Sequence, residues 1–142
     1  MKKCLLKMSL IILLMVIGSQ YTYAGTAHST TIGGLWNNKD TWIEGFVPGP
    51  TDTAIIQGHV IIGTVIGLEL YHSYGGWIIV EQSGILVAHD YGGGLATIKL
   101  FVAHDITNNG TIRNGDEYLQ LLISGDCVYR SSGKRAWRSL SI

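Results

Sequence analysis

The sequence predicts an all-β fold that follows an N-terminal export signal, and three observations support this prediction. Short runs rich in Val, Ile, Thr, Tyr and Trp, which strands prefer, recur along the chain. Glycine accounts for 19 of the 142 residues, about twice its usual share, and together with asparagine it separates those runs. After the first 24 residues, no segment spaces its apolar residues at the 3.6-residue period of an amphipathic helix.

Residues 1–24 have the three parts of a secretory signal peptide. Three lysines among the first seven residues make the start positive, and residues 10–17 form an apolar centre. Thr22 and Ala24 place small residues at the −3 and −1 positions, which predicts cleavage before Gly25. The alternative is a membrane anchor, but the apolar run is much shorter than the ~20 residues that span a bilayer. We therefore expect a mature domain that is secreted or held at the cell surface.

Removal of the signal peptide changes the charge of the chain. The full sequence has 10 basic and 10 acidic residues. Three lysines leave with the signal, so the mature domain has a net charge of −3. This balance gives no support for nucleic-acid binding, which needs a basic face. Cys4 leaves as well, so Cys127 has no partner for an internal disulfide, and we expect it to be buried as a small apolar side chain.

The predicted strands are short and lie at 53–56, 60–62, 65–70, 77–80, 85–88, 97–102, 105–107, 111–112 and 118–123. Two-residue turns between strands of matched length would indicate hairpins, and Asn114-Gly115 is a candidate. Short strands joined by glycine turns fit a parallel β-helix at least as well, with a β-sandwich as the alternative. The expected organisation is a cap over 25–52, β-helix rungs over 53–126 and a basic tail over 127–142, where the change in composition points either to truncation or to an unrelated tail.

One internal repeat favours stacked rungs. Residues 86–90 recur fifteen positions later, the two copies being Leu86-Val87-Ala88-His89-Asp90 and Phe101-Val102-Ala103-His104-Asp105. If the copies stack, the candidate metal ligands His89, Asp90, His104 and Asp105 lie close together. The favoured alternative is a polar edge where strand meets turn, because no His-x-His or Cys-x-x-Cys spacing accompanies these residues. No metal and no cofactor are therefore predicted.

Trp36 and Trp42 precede the predicted strands and have two possible roles. Stacked strands leave unpaired backbone groups and exposed apolar side chains at an open end, and two indole rings would cover such an end. The alternative is a platform for sugar stacking, because exposed tryptophan is a common carbohydrate contact. Capping is favoured, since the two residues lie where a cap belongs.

Two segments resemble a known group of modules. The first, similar to the start of G8-type and related β-helical modules of secreted bacterial surface proteins, is Gly33-Gly34-Leu35-Trp36-Asn37-Asn38-Lys39-Asp40-Thr41-Trp42, followed by Val47-Pro48-Gly49-Pro50-Thr51-Asp52 and Gly58-His59-Val60. The second is a turn common in the same proteins, Ile106-Thr107-Asn108-Asn109-Gly110-Thr111-Ile112. The resemblance implies an exported right-handed parallel β-helix at the N-terminal end of a larger protein with further rungs, and it carries no catalytic motif.

The predicted function is that of a non-catalytic surface or secreted module for adhesion, display or glycan contact, with a polysaccharide or a cell-surface glycan as partner. Two alternatives remain open. One is the N-terminal fragment of a β-helical polysaccharide lyase or glycosidase; the other is a β-sandwich carbohydrate-binding module. No catalytic residue is predicted, because glycosidases need two carboxyl groups ~5–10 Å apart and the sequence reveals no such pair.

Overall fold

The computed structural model of the chain describes residues 24–63, 72–88, 97–115, 118–123, 128–136 and 139–141. The predicted signal peptide (apart from Ala24), the predicted strand 65–70, Cys127, His89 and Asp90 lie outside these residues. The described residues form almost only strands, with one 3-10 turn at Lys39–Thr41. No helix among them is long and apolar enough to cross a membrane.

The strands are short, and most contain three or four residues. In chain order they are β1 (Thr26–His28), β2 (Gly33–Leu35), β3 (Thr53–Ile56), β4 (His59–Ile62), β5 (His72–Gly75), β6 (Trp77–Val80), β7 (Ile85–Ala88), β8 (Thr97–Val102), β9 (Ile106–Asn108), β10 (Thr111–Asn114), β11 (Tyr118–Ile123), β12 (Tyr129–Ser131), β13 (Lys134–Ala136) and β14 (Ser139–Ser141). The sequence predicts the bounds of β3, β6, β7, β8 and β11 to the residue.

These strands form three parallel sheets. Sheet 1 has the order β1-β3-β6-β9-β12, sheet 2 the order β2-β4-β7-β10-β13, and sheet 3 the order β5-β8-β11-β14. After β2, consecutive strands belong to sheet 1, sheet 2 and sheet 3 in turn, and this order repeats along the chain. We call each such set of consecutive strands a pass, and β1 and β2 belong to the first pass. The all-β prediction is thus confirmed.

Two predictions about strand pairing are wrong. The β-sandwich alternative requires hairpins, but every pair of named strands in the described ranges is parallel. Asn114-Gly115 is not a hairpin turn, because β10 before it and β11 after it belong to different sheets. Strands that follow one another in the sequence therefore belong to different sheets.

The core arises from the alternation of side chains along each strand. In β3, β4 and β6 every second residue is buried, because successive side chains of a strand point to opposite faces. The register of the parallel strands places each buried apolar residue beside another one: Val60 pairs with Leu86, and Leu86 pairs with Ile112. The inward side chains of all three sheets meet in one apolar cluster. Each fully buried Val, Leu or Ile contributes about 1.5–3 kcal/mol to stability.

Glycine occupies the same corner position, between sheets 1 and 2, in successive passes: Gly58, Gly84, Gly110 and Gly133. A Cβ atom on Gly84 would lie 2.1 Å from the carbonyl oxygen of Ile56, and one on Gly110 would lie 2.1 Å from that of Glu81. Main-chain hydrogen bonds hold the passes this close, namely Ile85 N to Gly58 O (2.9 Å), Thr111 N to Gly84 O (3.0 Å) and Lys134 N to Gly110 O (2.8 Å). At this corner only glycine leaves room for the next pass.

The pentapeptide repeat does not mark stacked passes. Leu86 of the first copy pairs with Val60 and Ile112 in sheet 2. Phe101 of the second copy pairs with Tyr74 in sheet 3. The copies therefore lie on different sheets of one pass. Paired residues of stacked strands are instead 19 to 28 positions apart, and the hydrogen bond from Ser83 Oγ to Gln57 O spans 26.

The predicted cap and tail regions also supply strands. Region 25–52 contains β1 and β2, the first strands of sheets 1 and 2. Region 127–142 contains β12, β13 and β14, the last strand of each sheet. The parallel arrangement therefore runs through both regions.

Candidate functional site

The segment that follows the 3-10 turn covers the outer edge of sheet 1. Trp42 forms an antiparallel bridge with Ser29, which directly follows β1. On either side of this bridge, Thr30 N donates to Thr41 O and Ile43 N donates to His28 O, both at 2.8 Å. An uncovered edge strand would present unpaired N–H and C=O groups to solvent or to another chain. The segment 41–43 therefore pairs with the backbone at the C-terminal end of β1 and with the two residues that follow it.

The two tryptophans between β2 and β3 pack against each other inside the core cluster. Trp36 is 1% exposed and Trp42 is 2% exposed. Their ring centroids lie 5.1 Å apart in an edge-to-face arrangement, which is favourable for aromatic pairs. Trp42 Nε1 donates to Trp36 O at 2.9 Å, whereas Trp36 Nε1 is buried and has no hydrogen-bond partner among the described residues. Neither ring presents a free face to solvent.

Trp36 also lies beside sheet 3. Residues 36–52 lie between β2 of sheet 2 and β3 of sheet 1, where later passes have a strand of sheet 3. Among the described residues, β5 is therefore the first strand of sheet 3. A Cβ atom on Gly75 of β5 would lie 3.3 Å from the Trp36 ring. The segment 36–52 thus packs over the start of sheet 3 and pairs with the start of sheet 1.

Glu44 completes the edge of β1. Its Oε2 atom accepts a hydrogen bond from His28 N at 2.7 Å, and its Oε1 atom lies 2.6 Å from His28 Nδ1. Partial burial raises the pKa of Glu44, but the hydrogen bonds from the backbone and the side chain of His28 outweigh burial, and the net pKa lies below its ordinary value. The ionised carboxylate is therefore the form that stabilises this edge.

Replacing Glu44 by glutamine is expected to make the free energy of unfolding less dependent on pH in the acidic range. Since folding lowers the pKa of Glu44, its contribution is fully present above the ordinary pKa and is lost as the pH falls through the lowered value. The difference in unfolding free energy between wild type and Glu44→Gln should therefore shrink as the pH falls below the ordinary pKa of 4.5 and through the lowered pKa of Glu44. Urea unfolding at a series of pH values measures this difference, and a difference that does not change with pH would contradict the prediction.

Asp52 fixes the turn that leads into β3. Its Oδ2 atom accepts a hydrogen bond from Gly49 N at 2.8 Å, and Asp52 N donates back to Gly49 O at 3.1 Å. Its Oδ1 atom accepts a hydrogen bond from Gly25 N at 2.7 Å. One carboxylate therefore joins the 47–52 turn to the residue before β1, which positions the turn beside sheet 3.

A surface cleft of about 490 Å³ lies between this turn and β5, and we call it the N-terminal cleft. Its described lining consists of Trp36, Asn37, Val47, Pro48, Gly49, Pro50, Ser73 and Tyr74. These residues supply apolar rings and aliphatic groups, one amide and two hydroxyls, and no charged side chain. Concave apolar surfaces with a few polar groups are typical of sites for small ligands.

Two pairs of stacked rings lie near the corner between sheet 3 and sheet 1. Tyr74 is 54% exposed and stacks on Phe101, the residue that pairs with it one pass later, with ring centroids 5.2 Å apart. Trp77 is 39% exposed and stacks on the imidazole of His104, with centroids 3.7 Å apart. Tyr74 is also part of the wall of the N-terminal cleft. Exposed aromatic rings beside a cleft mark a site of interaction.

The metal candidates that the structure describes have protein partners. Asp105 Oδ1 accepts a hydrogen bond from Val128 N at 2.7 Å, and Asp105 Oδ2 accepts one from Arg130 Nη1 at 3.1 Å. These bonds hold the pKa of Asp105 below its ordinary value. The other two candidates, His89 and Asp90, lie outside the described residues. Within those residues, no group of three His, Cys, Asp or Glu side chains is placed to hold a metal.

The sequence predicts roles for two residues of this region, Trp36 and Trp42, and does not single out the exposed rings of Tyr74 and Trp77 or the half-buried ring of Phe101. A usable signal was present, because Tyr74 and Phe101 are separated by approximately one pass of the chain. No protein-family model, curated protein or solved structure matches the chain. Function must therefore be inferred from the geometry of the cleft and its rings.

Proposed function

We propose that the chain is a non-catalytic exported module, a right-handed parallel β-helix that binds a neutral polysaccharide in the N-terminal cleft. Three features support the β-helix: the parallel sheets, the order in which each pass supplies them, and the strong preference of parallel crossovers for the right hand. The signal-like residues 1–24 support secretion or attachment to the cell surface. The resemblance of segment 33–60 to G8-type modules agrees with both proposals.

The observation that carries the glycan proposal is Tyr74, an exposed ring in the wall of an uncharged cleft. A sugar ring has an apolar C–H face, which packs against aromatic faces, and hydroxyl groups at its edge, which need hydrogen-bond partners. The Tyr74 ring offers the first kind of contact, and the exposed side chain of Asn37 offers the second. The described lining holds no charge, which favours a neutral glycan over an anionic one.

In this proposal Trp36 and Trp42 act as a cap rather than as a sugar platform. A sugar needs an accessible ring face, whereas both indoles are almost completely buried in the core cluster. The edge of β1 that they accompany is paired by the segment 41–43. Trp36 still contributes to the cleft, since it is one of the residues that line it.

Replacing Tyr74 by alanine is expected to weaken glycan binding about tenfold, a loss of roughly 1.4 kcal/mol. Tyr74→Phe keeps the stacking face and should bind within about threefold of wild type. The measurement is a glycan-array screen with neutral and uronic-acid oligosaccharides, followed by calorimetric titration of the tightest neutral ligand. Ile43→Ala is the matched control, because Ile43 is also exposed (64%) but does not line the cleft.

The same experiment contradicts the proposal in either of two ways. Binding only to uronic-acid oligosaccharides would contradict the inference from the uncharged lining. Equal affinities for wild type, Tyr74→Ala and Ile43→Ala would place the binding site elsewhere. Thermal unfolding of each variant shows whether a loss of affinity reflects a loss of fold.

A further inference from the structure

Asp52 lies against the bond at which the signal peptide is predicted to be cut. Its Oδ1 atom is 2.7 Å from Gly25 N, the nitrogen of the predicted scissile bond between Ala24 and Gly25. The position of this nitrogen is fixed from the other side, because Gly25 O accepts a hydrogen bond from Thr53 N at 2.8 Å. Ala24 is exposed, whereas Gly25 is partly buried.

Cleavage changes the chemistry of this contact. A signal peptidase hydrolyses the amide: the C–N bond breaks, and a water molecule supplies the new oxygen of the Ala24 carboxylate. Both protons of that water end on Gly25 N, which is therefore an ammonium group near neutral pH. Before cleavage, a neutral N–H donates to the carboxylate of Asp52. After cleavage, the donor at the same place carries a full positive charge, so a direct attraction between opposite charges is added to a hydrogen bond that the carboxylate already strengthens.

We propose that Asp52 is the binding site for the α-ammonium group of Gly25, and that signal cleavage thereby stabilises the mature fold. The inference rests on the proposed export of the chain and is independent of glycan binding. The product is an ion pair that ties the start of the mature chain to the 47–52 turn, since Asp52 Oδ2 already holds Gly49 N. This turn forms one wall of the N-terminal cleft.

The surroundings of residue 25 are built closely around glycine. A Cβ atom on Gly25 would lie 2.8 Å from the Phe46 ring and 3.3 Å from Asp52 Oδ1. A larger first residue would push the terminal nitrogen away from the carboxylate or displace the ring. The Phe46 ring packs against the core cluster, so it also covers the ion pair on one side.

A two-by-two comparison tests the proposal. One chain begins at Gly25 and the other retains Ala24; both carry one terminal ammonium group, but the second carries it one residue away from Asp52. Each chain is prepared with Asp52 and with Asp52→Asn, which removes the negative charge. We expect the Gly25 form of the wild type to have an unfolding constant about tenfold lower than the Ala24 form, and a midpoint about 4 °C higher. In the Asp52→Asn pair this difference should fall below about twofold.

A second measurement needs no substitution. An ammonium group held by Asp52 should react with an acylating reagent about tenfold more slowly than the terminal amine of the Ala24 form, as followed by mass spectrometry of the N-terminal peptide. Equal stability of the two wild-type forms together with equal reactivity would overturn the proposal. The proposal would also be overturned if the Gly25 form remained more stable than the Ala24 form when both carry Asp52→Asn.

The N-terminal sequence of the protein isolated from the producing cells tests the premise on which this inference rests. A start at Gly25 is expected. A start at any other residue would overturn the role of Asp52 in the mature protein, while the glycan titration would still decide the proposed function on its own evidence.

Discussion

Replacing Trp36 and Trp42 together by alanine is expected to unfold the domain. Each large-to-small change of a buried tryptophan costs about 3–5 kcal/mol, and a small domain is stable by only about 5–15 kcal/mol. The double change also removes the hydrogen bond from Trp42 Nε1 to the backbone of Trp36 and exposes the inner face of β5. Circular dichroism and urea unfolding measure the loss.

Trp77→Ala is the matched control for this experiment. Trp77 is 39% exposed and lies outside the core cluster, so its removal should cost much less than the removal of a buried ring. A double variant that unfolds at the same urea concentration as wild type and loses only glycan affinity would contradict the role of the tryptophans as a cap. It would support the sugar-platform alternative instead.

Alanine at Gly84 is expected to destabilise the domain by about 3 kcal/mol or more, because the added Cβ would overlap the carbonyl oxygen of Ile56. Relief of this overlap requires the passes to separate, which weakens the hydrogen bonds at the same corner. Gly49→Ala is the control, since the nearest atom to its Cβ position is Asp52 Oδ2 at 3.5 Å, an ordinary contact. That change should alter stability by less than about 1 kcal/mol.

The unfolding midpoints of wild type, Gly84→Ala and Gly49→Ala provide the test. If Gly84→Ala unfolded at the same midpoint as Gly49→Ala, the close main-chain approach at this corner would be refuted. Gly110→Ala repeats the test one pass later, where the Cβ would lie 2.1 Å from Glu81 O.

The sequence predicts the central strands well because their residues alternate between buried and half-exposed positions, as in β3 and β6. It fails for strands such as β2 (Gly33–Leu35) and β12 (Tyr129–Ser131), which have three residues and little apolar alternation. These segments are strands because a neighbouring pass supplies their hydrogen bonds, and that is a tertiary effect. Local pattern alone does not reveal such a partner.

The candidate site shows the same limit. The tryptophan pair is visible in the sequence because large rings are rare and stand close together. Its burial is set by the return of segment 41–43 onto β1, which no local pattern predicts. The fifteen-residue repeat does not correspond to the interval between stacked strands. The spacing of Gly58, Gly84 and Gly110 does indicate that interval, because the main chains approach so closely at these positions that no Cβ atom fits.

The similar length of successive passes bears on how the domain folds. Paired residues of neighbouring strands are 19 to 28 positions apart, the extremes being Gln120 with Ser139 and Ile78 with Ile106. Because the entropy of loop closure grows only slowly with loop length, each newly ordered pass closes its loop at a similar entropic cost. Folding can then propagate by nearest-neighbour steps, as in other quasi-one-dimensional proteins.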